Sequence, residues 1–190
     1  HILRYNCNKC YVLKGVWKML LDYWMLPILF ILHDFEEMIM MPIWKRQHNQ
    51  RLRKMKKSFF GAVTNGQAFS VGVLEELIIL IGVSLVSSVL HSDRLYLAFM
   101  VTYTLHFLMH YRMCFEFQGY VPGVISVTLE LPVMIWLITI YWQRSQSTFG
   151  EFLGYVTVAF LIQFVNLRVM HTLMPKIQAK MAACTRTSLL

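Results

Sequence analysis

LLDYWMLPILFILHDFEEMIMMPI, residues 20–43, is apolar enough over its length to read as a bilayer-crossing helix, yet His33, Asp34, Glu36 and Glu37 stand inside it. A hydrocarbon core needs about 20 predominantly apolar helical residues. A carboxylate near the middle of such a helix costs about 2.5–3.5 kcal/mol on insertion scales, so it persists only where something compensates it. Six of the ten acidic residues are placed this way: Asp34, Glu36, Glu37, Glu75, Glu76 and Glu130. His33, His106, His110 and His171 fall in the same kind of surroundings. The function of the chain turns on what neutralises them.

Working outward, four further stretches have the length and apolarity of a span: 66–90, 95–115, 121–142 and 150–174. With 190 residues at 57% hydrophobic, the chain is too apolar for an ordinary soluble domain. The expected fold is therefore all-α, a polytopic transmembrane bundle of about five helices. Residues 1–19 form an N-terminal lead that could lie at the interface. Residues 20–175 form one transmembrane domain with a basic loop at 45–58, and residues 176–190 form a tail. The first span follows a polar lead and outlasts a cleaved signal region, so it reads as a retained helix. An opening at His1 rather than Met suggests an N-terminus that is processed or lies further upstream.

Net charge is +8, and seven basic residues with no acidic one crowd into 45–57 (KRQHNQRLRKMKK). The positive-inside rule puts that loop on the cytoplasmic side of a cell membrane, against anionic headgroups. No aromatic platform or base-reading element accompanies it, so nucleic acid is not the expected partner. The loops at 91–94 and 143–149 then lie outside, and 116–120 and the tail inside. Arg4, Lys9, Lys14 and Lys18 would fall on the outer side, which an interfacial helix at 9–20 or a helix before His1 could explain. Tyr23, Trp24, Trp44, Tyr96, Tyr141, Trp142 and Tyr155 are expected at the interfaces. Pro27 and Pro42 could kink or end the first helix, and Asn65-Gly66 breaks the chain before the second. Cys7 and Cys10 make an isolated CxxC, half of a zinc site or an outer-face disulfide.

Helical spacing gathers the polar residues. His33, Glu36 and Glu37 share one face at i, i+3 and i+4, and His106 and His110 are one turn apart. The stripe Asn65, Ala68, Gly72, Glu75, Ile79 and Gly82 aims Glu75 into the bundle and leaves Glu76 to one side. A second stripe, Gly119, Gly123, Ser126 and Glu130, aims Glu130 inward. Asn166 is about 140° round its helix from His171, which separates the two. Counted from the segment ends at 1.5 Å per residue, all these groups lie between the midplane and the basic-loop side.

Salt bridges cannot compensate the carboxylates, because the spans hold no Lys and, away from their ends, only Arg168. Protonation of each carboxyl, a proton or ion pathway, and plain polar packing remain open. A mixture of imidazole and carboxylate favours a divalent cation, which cancels two charges at once. The expected ligand set is His33, Glu36, Glu37, Glu75, His106, His110 and Glu130, with His171 weaker. The expected centre is dinuclear, because the inventory suffices for two ions, iron or zinc, as in carboxylate-bridged helical bundles. If one of Glu36 and Glu37 is a ligand, the other could serve as general base or as partner of an imidazole. A site opening among lipid-facing helices implies a hydrophobic small-molecule or lipid substrate. Iron oxidising that substrate is slightly favoured over zinc activating water for hydrolysis. A metal or proton carrier would need a polar path to both faces, and the outer halves of the spans are almost wholly apolar.

His33-Asp34-Phe35-Glu36-Glu37 resembles the signature of the HXXEE family of small integral membrane proteins. The resemblance would run over about 25–175, with Glu75, His106, His110 and the Glu130-Leu131-Pro132 step matching the family's later His, Glu and Pro residues. It implies a membrane enzyme without fixing its reaction. Glutamate-dependent membrane proteases also combine paired glutamates with His, but their following Arg is missing after Glu75-Glu76.

Overall fold

The computed structural model describes residues 23–55 and 59–187. Six helices make up this part: α1 (Met25–Gln47), α2 (Asn49–Lys54), α3 (Gly66–Leu90), α4 (Asp93–Phe117), α5 (Val124–Ser145) and α6 (Phe149–Thr187). No strand occurs among the described residues. The five long helices are the five expected from the sequence, so the all-α bundle stands. The N-terminal lead, the Cys7/Cys10 pair and residues 56–58 of the basic loop lie outside the described residues.

Local chemistry sets the helix limits. The Asn65 side chain accepts from the Ala68 N–H at 2.9 Å and starts α3, while Ser92 caps Leu95 to start α4. His91 and Gln118 end α3 and α4 in the left-handed region, with φ of 48° and 55°. Pro42 does not end α1, which continues to Gln47. Its missing N–H leaves the Met38 carbonyl without a helical donor. Gly66 packs on that carbonyl so closely that a Cβ there would sit 2.7 Å from the oxygen. The stretch expected as a tail is instead mostly helical, since α6 runs through Pro175 to Thr187.

Packing is inverted relative to a soluble protein. Leu153, Val158, Phe160, Leu161, Phe164 and Val165 are all exposed on α6, and Ile78 and Leu129 are exposed on α3 and α5. A continuous apolar exterior of this extent suits lipid. Three helices, α3, α5 and residues Phe149–Cys184 of α6, are long and apolar enough to cross a membrane. The other two long helices, α1 and α4, have the length but carry His33–Glu37 and His106–His110.

Several aromatic residues expected at the membrane interface are buried instead. Tyr23, Tyr96 and Tyr141 pack ring to ring, with Tyr23 and Tyr96 centroids 5.1 Å apart. Tyr23 Oη donates to Asp93 Oδ1 at 2.8 Å, and Tyr96 Oη accepts from Leu26 N at 2.8 Å. With those hydroxyls satisfied internally, burial releases their rings from water without an orphaned donor. At the opposite end Trp44 is 2% exposed, meets Phe117 edge to face and donates from Nε1 to the Tyr120 carbonyl at 2.9 Å. These two clamps hold α1 to α4 and the α4–α5 turn at both ends. Trp24, Trp142 and Tyr155 are the exposed members of the set.

Candidate metal centre

Between the clamps, α1 presents His33 and Glu37 one turn apart, and α4 presents His106 and His110 one turn apart. One ligand atom from each of these four side chains lies within 4.8 Å of all the others. His33 Nε2 is 3.4 Å from Glu37 Oε1, His110 Nε2 is 3.1 Å from the same oxygen, and the His106 and His110 Nε2 atoms are 2.9 Å apart. Ligand atoms bound at about 2.0–2.1 Å to one ion are about 3.0 Å apart at an octahedral edge and about 3.3 Å at a tetrahedral one. The observed spacings bracket those edges. His33, Glu37 and His110 are buried, while His106 is more accessible.

Directions matter as much as distances. His33 Nε2 and Glu37 Oε1 are fully buried, and neither has a hydrogen-bond partner among the described residues. Glu37 Oε1 thus faces two imidazole nitrogens without the alignment of a hydrogen bond. His110 Nδ1 lies 3.0 Å from the Pro122 carbonyl, an acceptor only, so Nδ1 carries the proton. In the neutral ring the lone pair is then on Nε2, pointed at a carboxylate oxygen and at the His106 nitrogen. One proton can serve one of those contacts; a cation at their common point serves all four.

The motif's remaining glutamate works from behind. Glu36 accepts from the Ser126 N–H and hydroxyl, both at 2.7 Å, from Tyr120 Oη at 2.8 Å and from the Ile125 N–H at 3.4 Å. Its charge sits at the N-terminus of α5, where free N–H groups and the helix dipole favour an anion. Ser126 Oγ is also 3.0 Å from His33 Nδ1. With the serine proton given to Glu36, His33 Nδ1–H donates to Ser126 and frees Nε2 to face Glu37. Both buried imidazoles therefore have their outer nitrogen fixed, as metal-binding histidines do.

Gly123 makes this approach possible. Its φ is +89°, and a Cβ there would sit 2.6 Å from His110 Cε1 and 2.7 Å from His33 Cε1. The sequence marks this glycine only as part of a small-residue stripe. Its role is contact with the two rings.

Other expected residues are placed elsewhere in the same layer. Glu130 is buried and accepts from Tyr103 Oη at 2.8 Å. Glu75 and Glu76 share the Asn166 amide, whose Nδ2 donates to both. A cavity of about 270 Å³ opens beside the four ligands, lined by Glu76 rather than Glu75. Glu76 lies on the face of buried Val73 and Leu80, whereas the small-residue stripe marks where α3 meets α6, at Gly72 against Met174. Asn166 and His171 both line this cavity despite their angular separation, because it is broad enough to take in both. Asp34, which spacing did not single out, is 7% exposed, lines the cavity and leaves Oδ2 unpartnered among the described residues. Its position three residues before Glu37 on α1 was the available signal.

The described residues thus form a helical bundle with three helices long and apolar enough to cross a membrane and a three-histidine, one-glutamate cluster that could hold a metal ion. The chain belongs to the HXXEE family, described as proteins of unknown function with an HXXEE motif, whose model matches residues 24–137. That match takes in all four clustered side chains, Glu36 and Gly123, and stops within α5, short of the 25–175 expected from the motif. No curated protein and no solved structure matches the chain.

Proposed function

We propose that this protein is a metal-dependent enzyme of the membrane interior, holding one divalent cation on His33, Glu37, His106 and His110 and acting on a lipid-soluble substrate. The observation that carries the reading is the convergence of Glu37 Oε1 with three Nε2 atoms, the buried Oε1 and His33 Nε2 having no hydrogen-bond partner. The HXXEE motif then divides by role. His33 and Glu37 are ligands, and Glu36 orients His33 through Ser126. Glu75 and Glu130 are engaged by Asn166 and Tyr103, so one ion accounts for the geometry better than two.

Four protein ligands complete a tetrahedral ion, whereas a six-coordinate ion keeps two positions free. An open position toward the cavity favours iron over zinc, and iron would supply oxidation of the bound molecule by dioxygen. The cavity beside the ligands supports a small hydrophobic substrate, with Phe30, Phe69 and Met170 among its walls. Sidedness follows from charge. Lys45, Arg46, Arg51, Arg53 and Lys54 gather at one end of the bundle, and the positive-inside rule favours the cytoplasm for that end. His110 precedes the end of α4 at Phe117 by seven residues, about 10 Å of helix, which puts the cluster in the same half.

The test is element analysis of protein purified without chelator. About one iron per chain is expected, falling several-fold in His110→Ala while the protein still inserts in the membrane. About one zinc per chain would shift the chemistry to hydrolysis. No bound metal in the wild-type protein would end the reading.

A further inference from the structure

The cavity wall away from the four ligands has a chemistry of its own. Asp34 from α1 and Glu76 from α3 both line it, and among the described residues no Lys or Arg does. Lys45, the basic residue nearest in sequence, spends its ammonium on the carbonyls of Phe60, Gly61 and Val63. Asp34 is 7% exposed, and its Oδ2 is fully buried without a partner among the described residues. An unpaired buried carboxylate oxygen is strongly unfavourable unless a ligand completes it. Glu76 is steered by the Asn166 amide, which it shares with Glu75. The remaining wall is largely apolar and includes Phe30, Phe60, Phe69 and Tyr103, whose ring faces attract cations.

We infer that Asp34 and Glu76 form the head-group subsite for an amine-bearing, lipid-soluble substrate, its ammonium donating to Asp34 Oδ2 and its hydrocarbon lying on the phenylalanines. This rests on the metal-enzyme reading for the word substrate, while the binding itself uses different oxygens. Charge favours an amine over an alcohol. Among the described residues the lining carboxylates are Asp34, Glu37 and Glu76, so with all three ionised one divalent ion and one ammonium bring the cavity to neutrality. A hydroxyl could bond to Oδ2 but would not balance an ionised carboxylate.

Octylamine and octanol, which share a tail, are the probes, with binding measured by calorimetry on purified protein in nanodiscs and metal content measured on the same samples. Octylamine is expected to bind at least about tenfold more tightly than octanol. Asp34→Asn and, separately, Glu76→Gln should each remove most of that preference with metal content unchanged. Glu76→Gln guards against the case in which Asp34→Asn fails to fold. Equal binding of the two probes, or an amine preference that survives both substitutions, would overturn the subsite. Amine preference without bound metal would keep the subsite and remove the enzyme reading; metal without amine preference would do the reverse.

Discussion

At the scale of single residues, the site depends on groups that are not themselves ligands. Ser126 passes the pull of Glu36 to His33 Nδ1, so Ser126→Ala leaves that nitrogen without its partner. Loss of an outer hydrogen bond of this kind typically lowers metal affinity about 10–100-fold. Competition with a fluorescent chelator should give a drop in that range for Ser126→Ala, with helix content by circular dichroism unchanged. Gly123→Ala is more severe, because the new methyl meets both imidazoles and the backbone stays at positive φ. Its strain is of the order of 1–3 kcal/mol, and thermal unfolding in detergent should show a lower midpoint together with lost metal. The clustering of His33, Glu37, His106 and His110 was legible at this scale, since i, i+4 pairs on two helices are plain from spacing. It could not show which glutamate of the pair turns inward. Glu36 and Glu37 differ only by their neighbours on α5, and those lie about 90 residues away along the chain.

At the scale of helices, α1 is set by its contacts at either end. Lys45 gathers three carbonyls of the turn that leads to α3, with Nζ 2.6 Å from Val63 O and 2.8 Å from Gly61 O. Lys45→Met should destabilise the protein by about 1–3 kcal/mol, since buried acceptors lose a charged donor. Proteolysis in the 59–64 turn should rise in parallel, and resistance equal to wild type would contradict this assignment. The helix limits were legible because Asn65-Gly66 and the apolar runs carry their own signals. The interface assignment of Tyr23, Tyr96 and Tyr141 was not, because composition cannot distinguish a tyrosine that meets headgroups from one whose hydroxyl is bonded inside. The Glu75 assignment misled for a similar reason: small residues mark where helices touch, and the cavity lies on the neighbouring face.

For the whole molecule, the physical pattern is an apolar exterior around a polar layer confined to one half. The helices α3, α5 and α6 supply the exterior, while α1 and α4 give up hydropathy to hold the His/Glu cluster. If the basic end faces the cytoplasm, a cysteine placed at Gln50 of a variant lacking Cys7, Cys10, Cys114 and Cys184 should react with an impermeant thiol reagent only after the membrane is opened; labelling of intact cells would reverse the orientation. Such a bundle has no need of four converging donors unless they share a cation. X-ray absorption at the metal edge of the purified protein reads that sharing directly. The account predicts three imidazole nitrogens and one carboxylate oxygen at about 2.0–2.2 Å from a single ion. A spectrum without imidazole scattering, or one unchanged by His110→Ala, would contradict it.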